Sequence, residues 1–169
     1  MRKNYFVFML LCTCLHLFLH IASVQAQPGS LDWATGVGGT GVDAGNALVL
    51  DSAGNAYIAG GFRETVSFDP ASSAGDVTAK GLMDMFIAKY DHAGNFLWVR
   101  AMGGSRNDEI NDIALDAAGN IYITGSFLDT VDFNPGAGTD ERIATGTNIF
   151  FAKYDNNGNY IYAKSLTGA

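Results

Sequence analysis

Short apolar and aromatic runs, each closed by Gly, Asn or Asp, recur along the chain from residue 27 onward. The clearest of these runs alternate over short distances and cover Asn46–Leu50, Ala56–Phe62, Met85–Tyr90 and Phe96–Met102. Runs of this length with turn residues at both ends are typical of β-strands. No stretch after residue 26 shows a sustained helical period. The pattern therefore predicts an all-β chain.

A turn motif, Asp-x-x-Gly-Asn, separates several of these predicted strands and occurs four times. Its Asp can accept a hydrogen bond from the backbone two residues on, and its Gly can take a positive φ without steric cost. Each copy therefore predicts a tight hairpin. The residues assigned to these structural turns are Asp51, Gly54, Asn55, Asp91, Gly94, Asn95, Asp116, Gly119, Asn120, Asp155, Gly158 and Asn159.

The chain contains an internal repeat. Residues 33–70 align without a gap to residues 98–135 at a shift of 65, with 18 of 38 positions identical. After a one-residue deletion the match resumes at a shift of 64, where Phe86–Asp91 aligns with Phe150–Asp155. Each unit reads as two hairpins joined by a longer excursion, which predicts one four-stranded sheet per unit.

The excursion and the first strand add detail to this prediction. Short edge strands are expected over Thr65–Phe68 and Thr130–Phe133, because the proline that follows each of them cannot extend a ladder. The strand expected around Trp33 corresponds to the last strand of a unit, around Trp98, and Tyr160–Leu166 is another last strand. Such an offset allows one sheet to be completed by chain from its neighbour. The Trp98-type residues are expected to pack between sheets.

These motifs resemble the SBBP family of bacterial β-propeller repeats. The resemblance is carried by Asp-x-x-Gly-Asn-x-Tyr-Ile-x-Gly at Asp51–Gly60 and Asp116–Gly125, by the Phe-Asp/Asn-Pro element, and by the Ala-Lys-Tyr-Asp-x-x-Gly-Asn stretches. It implies two four-stranded antiparallel blades of an incomplete β-propeller, of the kind found in exported surface proteins of Bacteroidota-like bacteria, and it implies no chemistry. A closed propeller takes about four to eight blades. We therefore expect either further blades in a longer protein or several copies that assemble into a ring.

The first 26 residues differ from the rest. A positive start at Arg2 and Lys3 is followed by an apolar run over Tyr5–Ile21 and by Val-Gln-Ala ending at Ala26, which is the pattern of a cleaved signal peptide. An uncleaved anchor stays an alternative, because the run approaches the roughly 18–20 residues of a membrane span. The sequence predicts export to the cell envelope or the exterior, with cleavage near Ala26.

The expected division of the chain follows from the leader and the repeat. Residues 1–26 are the signal peptide, residues 27–97 are the first unit with its preceding strand, and residues 98–169 are the second unit and the start of a third.

Removing the leader restricts the available chemistry. Residues 27–169 hold no cysteine and one histidine, His92, which excludes cysteine nucleophiles, disulfides and the usual Cys/His zinc sites. His92 lies in a turn where the matching positions are Ser52 and Asn156, so a solvent-facing residue is expected rather than a catalytic base. With 8 basic and 17 acidic residues, the net charge of −9 repels nucleic acid and anionic membrane. We expect no cofactor, no nucleic-acid partner and no membrane insertion of this part.

Carboxylates are the remaining candidates for a site. Asp43 and Asp108 follow the Gly-Gly loops between units, and Glu109 adds an acid in the second unit only. These three residues are weak candidates for ligand binding, because paired carboxylates can serve a glycosidase or hold calcium. Asp140 and Glu141 are further acids specific to the second unit. No Asp-x-Asp-x-Asp-Gly loop is present, so no catalytic residue and no metal ligand are assigned.

Three classes of function follow. The leading one is a non-catalytic exported repeat module, a structural or adhesion scaffold at the bacterial surface and a fragment of a longer protein, with an unknown protein or glycan as its ligand. The others are a fragment of a polysaccharide-acting propeller enzyme and a calcium-stabilised adhesin. The first is favoured because every repeated residue has a structural explanation.

Overall fold

The β-strands form where the apolar runs lie in the sequence, and the Asp-x-x-Gly-Asn turns connect pairs of them. The structure, a computed structural model, describes residues 32–166. The signal peptide expected over residues 1–26 lies outside the described residues, as do residues 167–169. Within residues 32–166 the chain is all-β apart from one turn of 3-10 helix over Ser73–Gly75. No helix in that range is long and apolar enough to cross a membrane.

The first repeat forms a four-stranded antiparallel unit, called the first sheet from here on. Its strands pair in chain order and are β2 (Ala44–Leu50), β3 (Ala56–Phe62), β6 (Asp84–Tyr90) and β7 (Phe96–Gly104). β3 has the predicted bounds, and the other three begin or end within two residues of theirs. The central strands β3 and β6 are buried on both faces, which explains why they read as nearly continuous apolar runs.

The second repeat forms the second sheet, which is also antiparallel with strands paired in chain order. Its strands are β8 (Glu109–Leu115), β9 (Ile121–Asp132), β10 (Glu141–Tyr154) and β11 (Tyr160–Leu166). β9 and β10 are longer than β3 and β6 because they continue through the excursion, with a register shift between Ile143 and Thr147. The edge strand expected over Thr130–Phe133 is therefore the end of β9.

The excursion of the first repeat is a separate small sheet. It consists of β1 (Gly38–Gly39), β4 (Thr65–Ser67) and β5 (Asp76–Thr78), with β4 in the middle. In the second repeat the same pairing occurs without a break, because Gly103 and Gly104 at the end of β7 pair with the end of β9. These residue pairs join the first and second sheets into one hydrogen-bonded path. A Cβ at Gly104 would lie 2.0 Å from a carbonyl oxygen of β9, so this approach requires glycine.

The passage from β7 into β8 also bears on how the repeat is divided. β7 completes the first sheet, and the second sheet begins at Glu109. The two sheets therefore divide between β7 and β8, whereas the predicted unit boundary, between residues 97 and 98, lies within β7.

The segment before β1 differs from its counterpart in the second repeat. Residues 32–37 have no regular secondary structure, so the strand expected around Trp33 is reduced to Gly38–Gly39. The counterpart around Trp98 is a strand because it pairs with β6, and no strand in the described part of the chain pairs with residues 32–37 in this way. Trp33 instead lies against Gly94 and donates from Nε1 to the carbonyl oxygen of His92 at 3.2 Å.

The four Asp-x-x-Gly-Asn motifs form turns of the same geometry. At Asp116, Oδ1 accepts hydrogen bonds from the backbone N–H groups of Ala118 and Asn120 at 3.0 and 2.9 Å, and Oδ2 accepts one from Nδ2 of Asn120 at 2.8 Å. Gly119 has a φ of +78°, a left-handed conformation that suits glycine. The hydrogen bond from the Asn120 side chain, together with the backbone donors, lowers the pKa of Asp116 to about 2 despite partial desolvation.

The main core lies between the two sheets. One face of the first sheet contributes Tyr57, Met85 and Ile87, and the opposing face of the second sheet contributes Ile123 and Tyr154. All five are at most 2% exposed, so this layer is closely packed.

Each repeat also holds a group of three phenylalanine rings in matching positions, Phe62, Phe68 and Phe86 in the first and Phe127, Phe133 and Phe150 in the second. The closest pair in each group has its ring centroids 4.7 Å apart in the first repeat and 4.8 Å apart in the second. The two repeats therefore share side-chain packing as well as strand order.

Candidate functional site

Asp108, at the passage from β7 to β8, accepts hydrogen bonds from the backbone of β7 and of β9. Its Oδ2 accepts a hydrogen bond from Gly104 N at 2.9 Å, and its Oδ1 accepts one from Leu128 N at 3.1 Å. The side chain is 0% exposed. Burial raises the pKa of Asp108 to about 6, and the negative charges of Asp84 and Asp129 add to the rise, against the opposing effect of the two backbone donors.

Asp43 occupies the matching position in the first repeat. Its Oδ2 accepts from Gly39 N at 2.8 Å and its Oδ1 accepts from Arg63 N at 3.4 Å, but the residue is only half-buried. Both aspartates therefore use their oxygens on backbone donors. Their role as ligand-binding residues stays a prediction.

Glu109 connects the two sheets. Its Oε1 accepts a hydrogen bond from Nδ2 of Asn46 at 2.8 Å, and the same Nδ2 donates to the carbonyl oxygen of Ile110 at 2.8 Å. Asn46 lies on β2 of the first sheet, so one amide group links β2 to β8. Glu109 follows Asp108 directly in the chain, but the two carboxylates accept hydrogen bonds from different donors.

A buried acid that the sequence reasoning missed lies at the start of β6. Asp84 is 1% exposed, its Oδ2 accepts from Lys80 N at 2.9 Å, and its Oδ1 has no hydrogen-bond partner among the described residues. Burial raises the pKa of Asp84, against the backbone donors of Lys80 and Gly81. The signal that could have indicated it is an acid directly inside an apolar run, Met83-Asp-Met85, and the matching residue in the second repeat is the buried Asn148.

The remaining candidates lie apart from this passage. Arg142 donates from Nη2 to Oδ2 of Asp140 at 2.8 Å, and Glu141 is exposed. His92 is exposed in its turn, as the sequence predicts. Between residues 32 and 166, no group of three or more His, Cys, Asp or Glu side chains lies close enough together to hold a metal ion.

A shallow apolar groove lies on the face of the first sheet that points away from the second. Val37, Gly45, Ile58 and Ala88 line it, and Leu48 pairs with Ile58 on the same face. We call these five residues the groove face. The groove has a volume of about 110 Å³.

The second sheet also has an uncovered face, on its side away from the first. Tyr122 and Thr124 of β9 lie beside Ile149 and Phe151 of β10, with Phe151 directly opposite Thr124. We call these four residues the ridge face. Ile149 and Phe151 are 56% and 43% exposed, which is unusual for large apolar side chains in the middle of a sheet.

Comparison with known proteins explains the repeat. Residues 97–126 match the SBBP family, described as a beta-propeller repeat. This segment is similar to an SBBP repeat. The resemblance found in the sequence is thereby confirmed.

A relative with a second kind of repeat adds to this finding. An uncharacterized WD repeat-containing protein of Acanthamoeba polyphaga mimivirus is 32% identical to the chain over 133 residues, which cover 70% of this chain and 10% of the relative. The chain thus spans about a tenth of the length of that relative.

The SBBP segment coincides with the passage between the sheets. Residues 97–126 include most of β7, all of β8 and the first half of β9. They contain Asp108, Glu109 and the turn at Asp116, whose carboxylates all accept hydrogen bonds from the protein itself. Within the segment that matches the SBBP model, the carboxylates of Asp108 and Asp116 therefore stabilise the backbone.

Proposed function

We propose that this chain is a non-catalytic scaffold module, formed by two four-stranded β-propeller blades and exported to the bacterial surface for a structural or adhesion role. The observation that carries the proposal is the use of the repeated carboxylates. Asp43 and Asp108 each accept two backbone N–H donors, and each turn aspartate accepts two backbone donors and one from an Asn side chain. Carboxylates whose oxygens accept hydrogen bonds from the protein's own donors stabilise the backbone conformation, and this role accounts for them without a reaction.

Two short loops are the best place for a ligand in this proposal. Thr40–Val42 and the matching Ser105–Asn107 lie where each repeat passes to the next, and nearly all their residues are exposed. Their sequences differ between the repeats, Thr-Gly-Val against Ser-Arg-Asn, while Asp43 and Asp108 anchor the chain just after them. A variable exposed tip on a rigid base is the usual arrangement of a recognition loop, with a protein or a glycan as ligand.

A binding experiment tests this assignment. The purified chain would be applied to an array of bacterial and host glycans and to immobilised surface proteins, and compared with the double variant Val42→Ala, Arg106→Ala. We expect binding that the loop variant weakens, while Leu97→Ala, a matched loss of an exposed side chain outside the loops, leaves it unchanged. Equal binding by all three proteins would contradict the loop assignment.

The non-catalytic part of the proposal has its own test. The chain would be incubated with a broad panel of polysaccharides, with Glu109→Gln as the matched control, because a glycosidase needs a carboxylic acid at its site. We expect no hydrolysis by either protein. Hydrolysis by the wild type that is absent in Glu109→Gln would overturn this part.

Export is tested by the mass of the chain recovered after expression in a bacterium. We expect a product that begins at Gln27, and we expect Ala26→Trp to block processing, since signal peptidase requires a small residue there. Gln25→Trp, at a position with a looser requirement, is the matched control. An unprocessed wild-type chain would contradict the export proposal and favour a retained anchor.

A further inference from the structure

The loop between units carries the same three kinds of polar side chain in both repeats, a hydroxyl, a carboxylate and a guanidinium. The first cluster consists of Thr40, Glu64 and Arg63, and the second cluster consists of Ser105, Asp129 and Arg106. We propose that the two clusters together bind an acidic polysaccharide whose sugar rings carry a carboxylate beside free hydroxyl groups. This inference rests on the proposed function, because it names the ligand class of the two recognition loops.

The arginine has changed position between the repeats but stays at the loop. At the shift of 65, Arg63 aligns with Leu128, and the loop residue Gly41 aligns with Arg106. The two positions touch in the first repeat, since a Cβ on Gly41 would lie 2.9 Å from Cβ of Arg63. In the second repeat, Arg106 and Leu128 line the same depression. Each repeat therefore keeps one guanidinium here, on one or the other of two adjacent positions.

Both guanidinium groups lack an acidic partner within residues 32–166. Three other cations in that range form ion pairs with aspartates, whereas Arg63 and Arg106 form none. Nε of Arg63 is buried and has no hydrogen-bond partner there. A guanidinium offers five N–H donors in a planar fork that matches a carboxylate. These two groups can therefore bind an anion from outside the chain.

The acid of each cluster has an uncommon backbone conformation. Glu64 aligns with Asp129, and their φ angles are +57° and +62°. In the described range these are the two non-glycine residues with a positive φ. The two carboxylates accept hydrogen bonds from Thr40 Oγ1 at 2.6 Å and from Ser105 Oγ at 3.0 Å, respectively. Glycine would fit this conformation at less cost, so an acid in both repeats indicates that the carboxylate itself is used.

Met83 contacts both loop regions, which places the two clusters at the same end of the molecule. Its backbone N–H donates to the carbonyl oxygen of Arg106 at 3.2 Å. Its sulfur lies 3.0 Å from the position of a Cβ on Gly61, two residues before Arg63. A polymer can therefore reach both clusters at once, which raises its affinity above that of a single sugar.

The charge at this end differs from that of the chain as a whole. Acidic residues outnumber basic ones by 17 to 8 over residues 27–169. The exposed Lys80 adds a third cation beside the first cluster, because the residue before it donates to the carbonyl oxygen of Glu64 at 2.8 Å. At about 0.15 M salt, exposed charges more than about 8 Å apart are largely screened. The local cations, rather than the net charge, therefore govern contact with an anionic ligand.

The combination of groups in each cluster determines the ligand class. A guanidinium binds a carboxylate through two parallel hydrogen bonds, and the carboxylate of the cluster accepts hydrogen bonds from hydroxyl groups. A uronic acid presents its own carboxylate and several hydroxyls on one ring, so it satisfies both. An acidic peptide presents carboxylates without a hydroxyl beside each of them, so it satisfies only the arginines.

A depression beside the second cluster provides room for such a sugar. Arg106 and Asp129 line it, and so do residues 144–146, where the pairing of β9 with β10 is interrupted. Its volume is about 430 Å³. Both the donor and the acceptor of the second cluster are therefore on the wall of one open space.

The test measures binding of the full chain to polygalacturonate by isothermal titration calorimetry, with EDTA present so that calcium cannot bridge acidic groups. Carboxyl-reduced polymer, which keeps the rings but not the charge, and poly-glutamate are the control ligands. We expect binding to polygalacturonate well above that to either control. Arg63→Gln and Arg106→Gln should each weaken it about tenfold, the effect of losing one charged hydrogen bond. Lys164→Gln, which removes an exposed cation on β11, should leave it unchanged.

A further variant separates a binding role of the acid from a structural one. Asp129→Gly removes the carboxylate but suits the positive φ, so urea denaturation should show little or no loss of stability. Its affinity for polygalacturonate should nevertheless fall at least ~3-fold. Circular dichroism checks the fold of every variant. Unchanged affinity in Asp129→Gly would overturn the assignment of the acid to the site.

Four other results would overturn the proposal: no binding to polygalacturonate, equal binding of the reduced polymer, equal binding of poly-glutamate, or an affinity that both arginine variants leave unchanged. Binding of a neutral glycan or a surface protein that Val42→Ala weakens, without binding to polygalacturonate, would overturn this inference and leave the scaffold proposal in place. Shortening of the bound polymer would instead contradict only the non-catalytic part of the scaffold proposal.

Discussion

The two sheets share side chains, turns and hydrogen bonds at matching positions, but they differ in what covers them. Tyr90 donates from its hydroxyl to the carbonyl oxygen of Phe68 at 2.8 Å, and Tyr154 donates to that of Phe133 at 2.7 Å. This hydrogen bond is thus the same in both repeats. Burial differs, because one face of each sheet packs on the other sheet and the opposite face does not.

This comparison separates what a repeat specifies by itself from what its neighbour supplies. The unit carries its own turns and its own aromatic packing, which rest on contacts within the unit. The next unit along the chain covers the face that carries Met85 and Ile87, whereas much of the opposite face is buried by the unit's own side chains. The same residue type can therefore be a core residue in one sheet and an exposed residue in the other.

The loss of a core side chain at one strand position should have the greatest effect on stability. Ile87→Ala should lower the free energy of unfolding by about 3 kcal/mol, since it leaves a cavity between the sheets. Phe151→Ala, at the matching exposed position, should cost less than about 1 kcal/mol when measured at concentrations where the chain is monomeric. Urea denaturation of both variants measures this difference. Equal losses would mean that neighbour cover does not distinguish the two faces.

A second prediction concerns pH and the buried Asp108. Its pKa of about 6 in the folded chain lies above the ordinary 3.8, so the folded state binds the proton more tightly. This contribution to stability is present below about pH 4 and is lost as the pH rises through 6, with a total of up to about 3 kcal/mol. The rise in pKa of the buried Asp84 acts in the same direction.

Urea denaturation between about pH 7 and pH 4.5 measures this dependence. Asp108→Asn should flatten the profile, whereas Asp43→Asn at the half-buried matching position should leave most of it in place. A profile that is equally steep in Asp108→Asn would show that another group is responsible. Below about pH 4 the trend should reverse, because the pKa of Asp116 is lowered to about 2 and its stabilising charge is lost on protonation.

A small and equal loss of stability is expected at the glycines of two matching turns. Gly54→Ala and Gly119→Ala both place a side chain at a φ near +80°, so each should cost about 1 kcal/mol. The two losses should agree within about 0.5 kcal/mol, since the turns have the same hydrogen bonds. A clear difference in the unfolding free energies would show that the turns are not equivalent.

The strands and turns were accessible to prediction because their signals are local. The bounds of β3 follow from one apolar run between Asn55 and Arg63, and the Asp-x-x-Gly-Asn turn needs only five consecutive residues. The small sheet around β4 was not accessible in full. β1 has two glycines and β5 has three residues, so neither carries a periodic pattern.

The candidate site was accessible only as a list of acids. The sequence indicates Asp43 and Asp108 as equivalent, but one is half-buried and the other has no exposed surface. That difference arises from contacts with chain far away in sequence, so no local pattern reports it. Asp84 was missed for the same reason, since an acid within an apolar run does not reveal which atoms will surround it.

The pairing of strands in chain order has a consequence for how the molecule is made. The strands of the first sheet pair in chain order, with β4 and β5 inserted between β3 and β6, so this sheet can close as soon as β7 has been synthesised. The last two residues of β7 then present a ready backbone edge to β9, which arrives later. The molecule can therefore assemble from its amino terminus onward, with each finished sheet serving as the template for the next, and with little time during which unpaired strands are exposed to other chains.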